Sequence, residues 1–256
     1  MASAVQKTFR CIEALARAPG GLNVSEVAVT AGFSRPAATR LLEGLRDDAI
    51  VVKDPATKRY RLGLRLYEWS NIAVQATTPI NIARKEFIRL SMLTGRECNI
   101  LILEELDVVF LERCEVVDGV PLNRPSVGRR VWYQTASGKA ILAFSPPALK
   151  KSVLERTARL LDPPPPENAS LVRELDEVRN KGYAVSTGPV RPDGTLGLGV
   201  PILGQSGYAV AAVGSFVPAE ELDQSTGTTL LSQLTTAATR VSHYLGYETE
   251  IAATVS

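Results

Sequence analysis

Residues 23–64 read NVSEVAVTAGFSRPAATRLLEGLRDDAIVVKDPATKRYRLGL, and their pattern decides the fold of the first part of the chain. Val24, Val27, Ala28 and Ala31 recur at helical spacing, and Asn23 ahead of them is a strong helix cap. Gly32 supplies a turn that a residue with a side chain would enter under strain. Ser34 caps a second helix, and Pro36 falls in its first turn, where a missing N–H costs nothing. Ala38, Leu41, Leu42 and Leu45 form the inner stripe of that helix and leave Arg35, Thr39, Arg40 and Arg46 outside. The β-branched run Ile50-Val51-Val52, closed by Asp54-Pro55, reads as a strand entering a turn, and Tyr60-Arg61-Leu62 is the return strand.

This is the spacing of a winged helix-turn-helix. Its second helix carries what a reader of DNA needs: Ser34 and Arg35 at the start, then Thr39 and Arg40. An arginine reaches a phosphate or a guanine edge, and a threonine a phosphate or a thymine methyl. Lys58, Arg59 and Arg61 give the wing a basic edge suited to the nucleic-acid backbone. The alternative is a small helical bundle with a solvated hairpin.

The stretches GLNVSEVAVTAGFSRPAATRLLEGL and DPATKRYRLGLRL resemble the N-terminal domain of IclR-type transcriptional regulators. Later residues extend the resemblance to nearly the whole chain: Val127-Gly128-Arg129-Arg130-Val131, Thr135 with Gly138-Lys139-Ala140, Gly182-Tyr183-Ala184 and Gly199-Val200-Pro201. The resemblance implies an α+β protein with an N-terminal winged helix-turn-helix domain, a linker helix and a C-terminal α/β sensor domain. That last domain would resemble the GAF and PAS domains, with an antiparallel sheet and a small-molecule pocket.

Composition agrees with such a division. The 256 residues suggest two domains, and 45% hydrophobic content is ample for their cores. The net charge of +2 is uneven: residues 1–77 hold 11 basic against 7 acidic side chains, and residues 78–256 hold 18 against 20. A basic first part on a slightly acidic second suits a DNA reader joined to something that does not touch DNA. There is no apolar run long enough to span a membrane and no signal-peptide pattern, so a cytoplasmic protein with no membrane partner is expected. Cys11, Cys98 and Cys114 are unclustered and read as reduced structural thiols.

Boundaries follow from the local patterns. Residues 1–63 form the DNA-binding domain, 64–78 the linker helix, and 79–256 the effector-binding and oligomerisation domain. Leu66, Trp69, Ile72 and Ala73 give the linker an apolar face that a partner subunit would bury, so a homodimer or a dimer of dimers is expected. Helices are expected at 4–18, 80–94, 135–144, 171–181 and 220–245. Strands are expected at 98–103, 108–113, 183–187, 196–203 and 209–216, with a short strand or loop at 127–133. Residues 162–166, DPPPP, read as a stiff spacer.

Catalytic motifs are missing where they would be needed. Gly32-Phe33-Ser34-Arg35 lacks the closing glycine of a nucleophile elbow. Ser137-Gly138-Lys139 has neither a glycine-rich loop before it nor a hydroxyl residue after it, so it is no phosphate loop. His243 is the only histidine. No catalytic residue, metal site or cofactor is expected. An enzyme of unknown reaction that carries a DNA-binding-like domain is the alternative.

The pocket reading needs a polar anchor and apolar walls. Trp132, Tyr133, Thr135, Ala136, Ser137 and Gly138 lead into a helix whose first N–H groups suit a carboxylate. In the family resembled, an acidic residue, a cysteine and serines contact small carboxylic acids. Those places fall here on Ser186 or Thr187, on Gly197, and on Gly214 with Phe216, and Gln134 replaces a histidine. Gly197, Gly199 and Gly214 would leave space that Phe216 and Tyr133 line. The expected effector is therefore a flat or aromatic acid or amide, with Trp132 as its fluorescent reporter. The expected mechanism is linkage, in which the effector biases subunit arrangement and hence binding to a palindromic double-stranded operator.

Overall fold

The computed structural model describes residues 3–75, 78–123, 129–160, 168–186 and 194–248, which divide between two compact units, Met1–Ala76 and Thr77–Ser256. The expected spacer at 162–166 and Thr187 lie outside the described residues.

In the first unit, α1 (Ala4–Ala16), α2 (Val24–Ala31) and α3 (Arg35–Asp47) precede a two-stranded wing, β1 (Val51–Lys53) and β2 (Tyr60–Leu62), and α4 (Arg65–Gln75) follows. Ser3 with Gln6, and Asn23 with Glu26, close capping boxes on α1 and α2, each satisfying two amides that a helix start leaves over. Gly32 ends α2 in the left-handed region at φ +74°. The core gathers Cys11, Leu15, Val27, Ala38, Leu42 and Tyr60. Tyr60 also exchanges both backbone hydrogen bonds with Leu22, which sews the wing to the start of α2.

The second unit begins with α5 (Thr78–Thr94). There follow β3 (Cys98–Glu104), β4 (Asp107–Val117), β5 (Val120–Asn123) and β6 (Arg129–Val131), then a 3-10 turn at Trp132–Gln134. Next come α6 (Ala136–Ala143), α7 (Pro147–Leu160), α8 (Asn168–Lys181), β7 (Ala184–Val185), β8 (Thr195–Leu203), β9 (Ala209–Pro218) and α9 (Ser225–Tyr244). The strands form one antiparallel sheet in the order β5-β4-β3-β9-β8-β7, with β6 also paired to β4. One face carries the core of α5 and α9, including Phe87, Leu90, Ile100, Val213 and Leu234. The other carries α6, α7 and α8 with Leu101, Trp132, Leu142, Leu175 and Ala212.

Two elements depart from the expectations. β4 runs on to Val117 and hands over to β5, a third strand after the expected hairpin. α7 is new. The expected helices leave 145–170 without one, yet Pro147 is the first residue of α7, the position where proline's missing N–H and fixed φ suit a helix. Among the described residues no helix is long and apolar enough to cross a membrane. The three cysteines are buried and free.

Candidate functional sites

On the first unit, α3 presents Arg35 and Arg40 outward, with Ser34 exposed at its start. Neither arginine makes an ion pair among the described residues. Thr39 is half-buried and its hydroxyl donates to the Arg35 carbonyl at 3.0 Å, which leaves the oxygen's two lone pairs to accept. In the wing, Asp54 accepts the amides of Ala56 (2.9 Å) and Thr57 (2.8 Å), an Asx turn. The Thr57 amide, with its hydroxyl, holds the Asp54 carboxyl below the usual range. Lys58 sits exposed at the tip at φ +57°, and Arg61 lies 4.0 Å from Asp54.

Arg59 is placed otherwise than expected. Its Nε donates to the Gly21 carbonyl at 3.0 Å, and one terminal nitrogen bridges both oxygens of Glu26 at 2.9 and 3.2 Å. Charge-assisted bonds of this kind hold a guanidinium firmly. Arg59 is thus a strut between wing and α2, and of the three cations expected to serve the wing only Lys58 and Arg61 are exposed. The same unit exposes Leu64 just before α4 and Tyr67, Trp69 and Ile72 along it.

The second unit holds a cavity of about 230 Å³ between the start of α6 and the sheet. Thr135, Ala136, Ser137, Gly197 and Phe216 line it, as do Glu97 just before β3, Asn99 and Leu101 of β3, Phe110 and Arg113 of β4, and Arg130 of β6. Strand register explains the assembly. Arg113 stands opposite Asn99, Asn99 opposite Gly214, and Gly214 opposite Gly199, one row across four strands. Phe216 and Gly197 pair in the next row. Phe110 and Arg113 differ in parity and would face opposite sides of a regular strand. A bulge restores them to one side, since Leu101 pairs Phe110 and Ile100 pairs Glu112, skipping Leu111.

Thr135 caps α6 by accepting the Gly138 amide at 3.0 Å. The Ala136 and Ser137 amides belong to the first turn, where a helix leaves N–H groups without intrahelical partners. Arg113 meets Glu97 as a fork, Nε to Oε1 and Nη2 to Oε2 both at 2.8 Å, and that hydrogen bonding raises the guanidinium pKa further. Arg130 is exposed and makes no ion pair among the described residues.

Several expected effector contacts lie elsewhere. Trp132 is fully buried in the core beneath α7, where its Nε1 donates to Thr157 Oγ1 at 2.8 Å. The unforeseen helix is what claims it. Tyr133 is half-buried, edge-on to Trp132 at 5.8 Å between ring centroids, and does not line the cavity. Gly138 packs directly on the Trp132 backbone. Ser186 is committed to the sheet, its Oγ accepting the Gly197 amide at 2.9 Å.

The glycines also do different work from that expected. A Cβ on Gly199 would lie 2.6 Å from the Ala136 carbonyl carbon and the Ser137 nitrogen, and one on Gly214 would lie 2.6 Å from Asn99 Oδ1. Both let α6 sit down on the sheet, and the space beside them is already filled. Only Gly197, with nothing nearer than 3.8 Å, opens onto the cavity.

Comparison with known proteins agrees across both units. The model of the IclR helix-turn-helix domain matches residues 4–55, and that of the bacterial transcriptional regulator IclR C-terminal domain matches residues 73–243. The transcriptional regulator KdgR of Escherichia coli is 24% identical over 96% of this chain and 93% of its own. The glycerol operon regulatory protein of Streptomyces griseus is 27% identical over 96% and 98%. The crystal structure of the Thermotoga maritima IclR superposes with a TM-score of 0.75 at 26% identity, covering 95% of this chain and 98% of that one. An IclR homolog from Microbacterium hydrocarbonoxydans, complexed with 4-hydroxybenzoate, gives 0.76 at 22% identity over 95% and 99%.

Proposed function

The chain belongs to the IclR family of bacterial transcriptional regulators, and from that premise we propose that a flat organic acid, held beside the start of α6, controls its grip on a palindromic operator. Its relatives are regulators, not enzymes, and the chain pairs a helix-turn-helix DNA-binding domain with a ligand-binding one. In the proposed complex α3 enters the major groove with Arg35 and Arg40 toward base edges and phosphates, flanked by Ser34 and Thr39. Lys58 and Arg61 of the wing contact the backbone.

The observation that carries the effector reading is the cavity itself, where an arginine without an ion pair and the free amides of a helix start meet apolar side chains. A carboxylate seats against the amides and Arg130, and a ring lies between Leu101, Phe110 and Phe216. At about 230 Å³ the space is below the roughly 300–1,000 Å³ of drug-sized sites, which suits one substituted ring. The 4-hydroxybenzoate of the Microbacterium hydrocarbonoxydans homolog is of that size and is the natural first probe.

The exposed Tyr67, Trp69 and Ile72 of α4, with Leu64 just before it, support assembly into dimers, or dimers of dimers, since exposed apolar side chains gathered in one place favour a partner. Two α3 helices then require half-sites about 34–36 Å apart or a multiple of it. An effector that prefers one subunit arrangement shifts operator affinity through linkage. The test is fluorescence anisotropy of DNA from upstream of the protein's own gene, titrated with protein and then with small acids. Expected is salt-sensitive binding that 4-hydroxybenzoate or a related acid modulates. Binding that ignores every acid, with no heat of interaction by calorimetry, would overturn the effector reading.

A further inference from the structure

Where the sheet meets the start of α6, two polar side chains are buried without a use in the fold. Asn99 is 2% exposed and Ser137 5% exposed, and both line the cavity. Among the described residues neither the Asn99 carboxamide nor the Ser137 hydroxyl makes a hydrogen bond. Buried polar side chains are nearly always satisfied, so an exception calls for a partner that the chain does not supply. Strand register and two glycines bring the pair together. Asn99 stands opposite Gly214, and Gly214 opposite Gly199. A Cβ on Gly214 would lie 2.6 Å from Asn99 Oδ1 and 2.8 Å from Ser137 Oγ, so both groups crowd over the same bare strand position. A Cβ on Gly199 would lie 2.6 Å from the Ser137 nitrogen, which sets the start of α6 on the next strand of that row. The Ala136 and Ser137 N–H groups there have no intrahelical acceptor and lie at the positive end of the helix dipole.

Resting on the reading of this cavity as the effector site, we infer that Asn99 is a specificity-determining residue: with Ser137 and the first amides of α6 it forms a seat of neutral donors that takes the effector's carboxylate in preference to the corresponding carboxamide. Two backbone N–H groups, a hydroxyl and the Asn99 NH2 can all donate here, and a carboxylate has acceptor positions for about four hydrogen bonds. Bonds to a charged acceptor are roughly twice as strong as neutral ones. A carboxamide fills the seat less well, because its own NH2 finds acceptors only on Asn99 and Ser137 and brings no charge to the helix start. Glu97 lines the same cavity, but its carboxylate is met by the Arg113 fork at 2.8 Å, and the seat draws nothing from it. Asn99 comes to the site only through its place opposite Gly214, and no helix-start motif includes it.

Calorimetric titration of the full chain with 4-hydroxybenzoate and 4-hydroxybenzamide, set beside thermal unfolding, tests the inference. The unaltered chain should bind the acid about tenfold or more tighter than the amide, the range of a hydrogen bond to a charged group. Asn99→Leu, close in size, should cut the acid's affinity about tenfold or more, and Ser137→Ala by a smaller factor. Both variants should unfold at or above the temperature of the unaltered chain, because a buried polar group without a partner disfavours the fold. A role in holding the sheet would instead lower it. If the leucine alone clashes and lowers it, Asn99→Asp, of nearly the same volume, decides: at pH 8 its carboxylate repels the acid and accepts from the amide, so the preference should reverse. Equal binding of acid and amide to the unaltered chain would overturn the inference. So would an acid affinity unchanged in Asn99→Leu or Ser137→Ala, a lowered unfolding temperature in both, or a folded Asn99→Asp that still prefers the acid. Binding of neither compound to the unaltered chain would overturn the effector reading itself, and this inference with it.

Discussion

α3 and α6 open with the same local grammar and end in opposite places. Each follows a hydroxyl residue, Ser34 or Thr135, in extended backbone, and each has small residues in its first turns. Yet α3 shows its arginines to solvent, while all eight residues of α6 are buried, Lys139 included. The difference comes from what lies beneath. α3 packs a single stripe, Ala38, Leu42 and Leu45, on two other helices and the wing. α6 rests on a sheet whose Gly199 lets helix backbone come within contact of strand backbone, while Gly214 makes room for the Ser137 and Asn99 side chains. A helix start that lies against such a sheet shields its amides from bulk water, where their attraction for an anion is stronger. A helix start in the open has no such advantage and relies on long charged side chains.

The glycines give the sharpest test of this contrast. Gly199→Ala places a methyl group against the Ala136–Ser137 peptide and should destabilise the second unit by about 3 kcal/mol, the upper end of overpacking costs. Gly44→Ala in α3, where a Cβ meets nothing within 4 Å, should stabilise by up to about 1 kcal/mol. Urea unfolding measures both, and equal effects at the two sites would break the comparison. Next, Arg40→Ala should weaken operator binding by roughly 1–3 kcal/mol and leave effector binding unchanged. Anisotropy and calorimetry on the same preparation separate the two readouts. The smallest effect concerns the caps. Thr135 accepts the Gly138 amide, whereas Ser34 makes no side-chain cap bond. Thr135→Ala should cost about 1 kcal/mol and Ser34→Ala only a few tenths, read as shifts in thermal unfolding.

The same contrast explains what could be read from the sequence. Asn23, Gly32, Ser34 and the stripe through Leu45 are neighbours in the chain, and capping and periodicity are local rules, so α2, α3 and the wing were legible residue by residue. The cavity is not local. Glu97, Arg113 and Arg130 come together only through strand register, and Phe110 joins Arg113 on one face only because Leu111 is bulged. No alternation pattern announces that. The misplacement of Trp132 has one cause, since expecting no helix between 144 and 171 leaves out α7 and with it the Thr157 hydroxyl that holds the indole. Gly199 and Gly214 were noticed but taken as empty space, when the helix had already come down to fill it. Arg59 looked like its neighbours Lys58 and Arg61, and only the fold brings Glu26, 33 positions away, within its reach.

That strut of Arg59 has a consequence for timing. A hairpin of two three-residue strands is marginal on its own, and fixing each residue's backbone costs about 1–2 kcal/mol of entropy at 25 °C. Tied to Gly21 and Glu26, the wing meets that cost when the first unit folds. Its later encounter with a partner is the docking of a preset shape, with no separate ordering step to slow it.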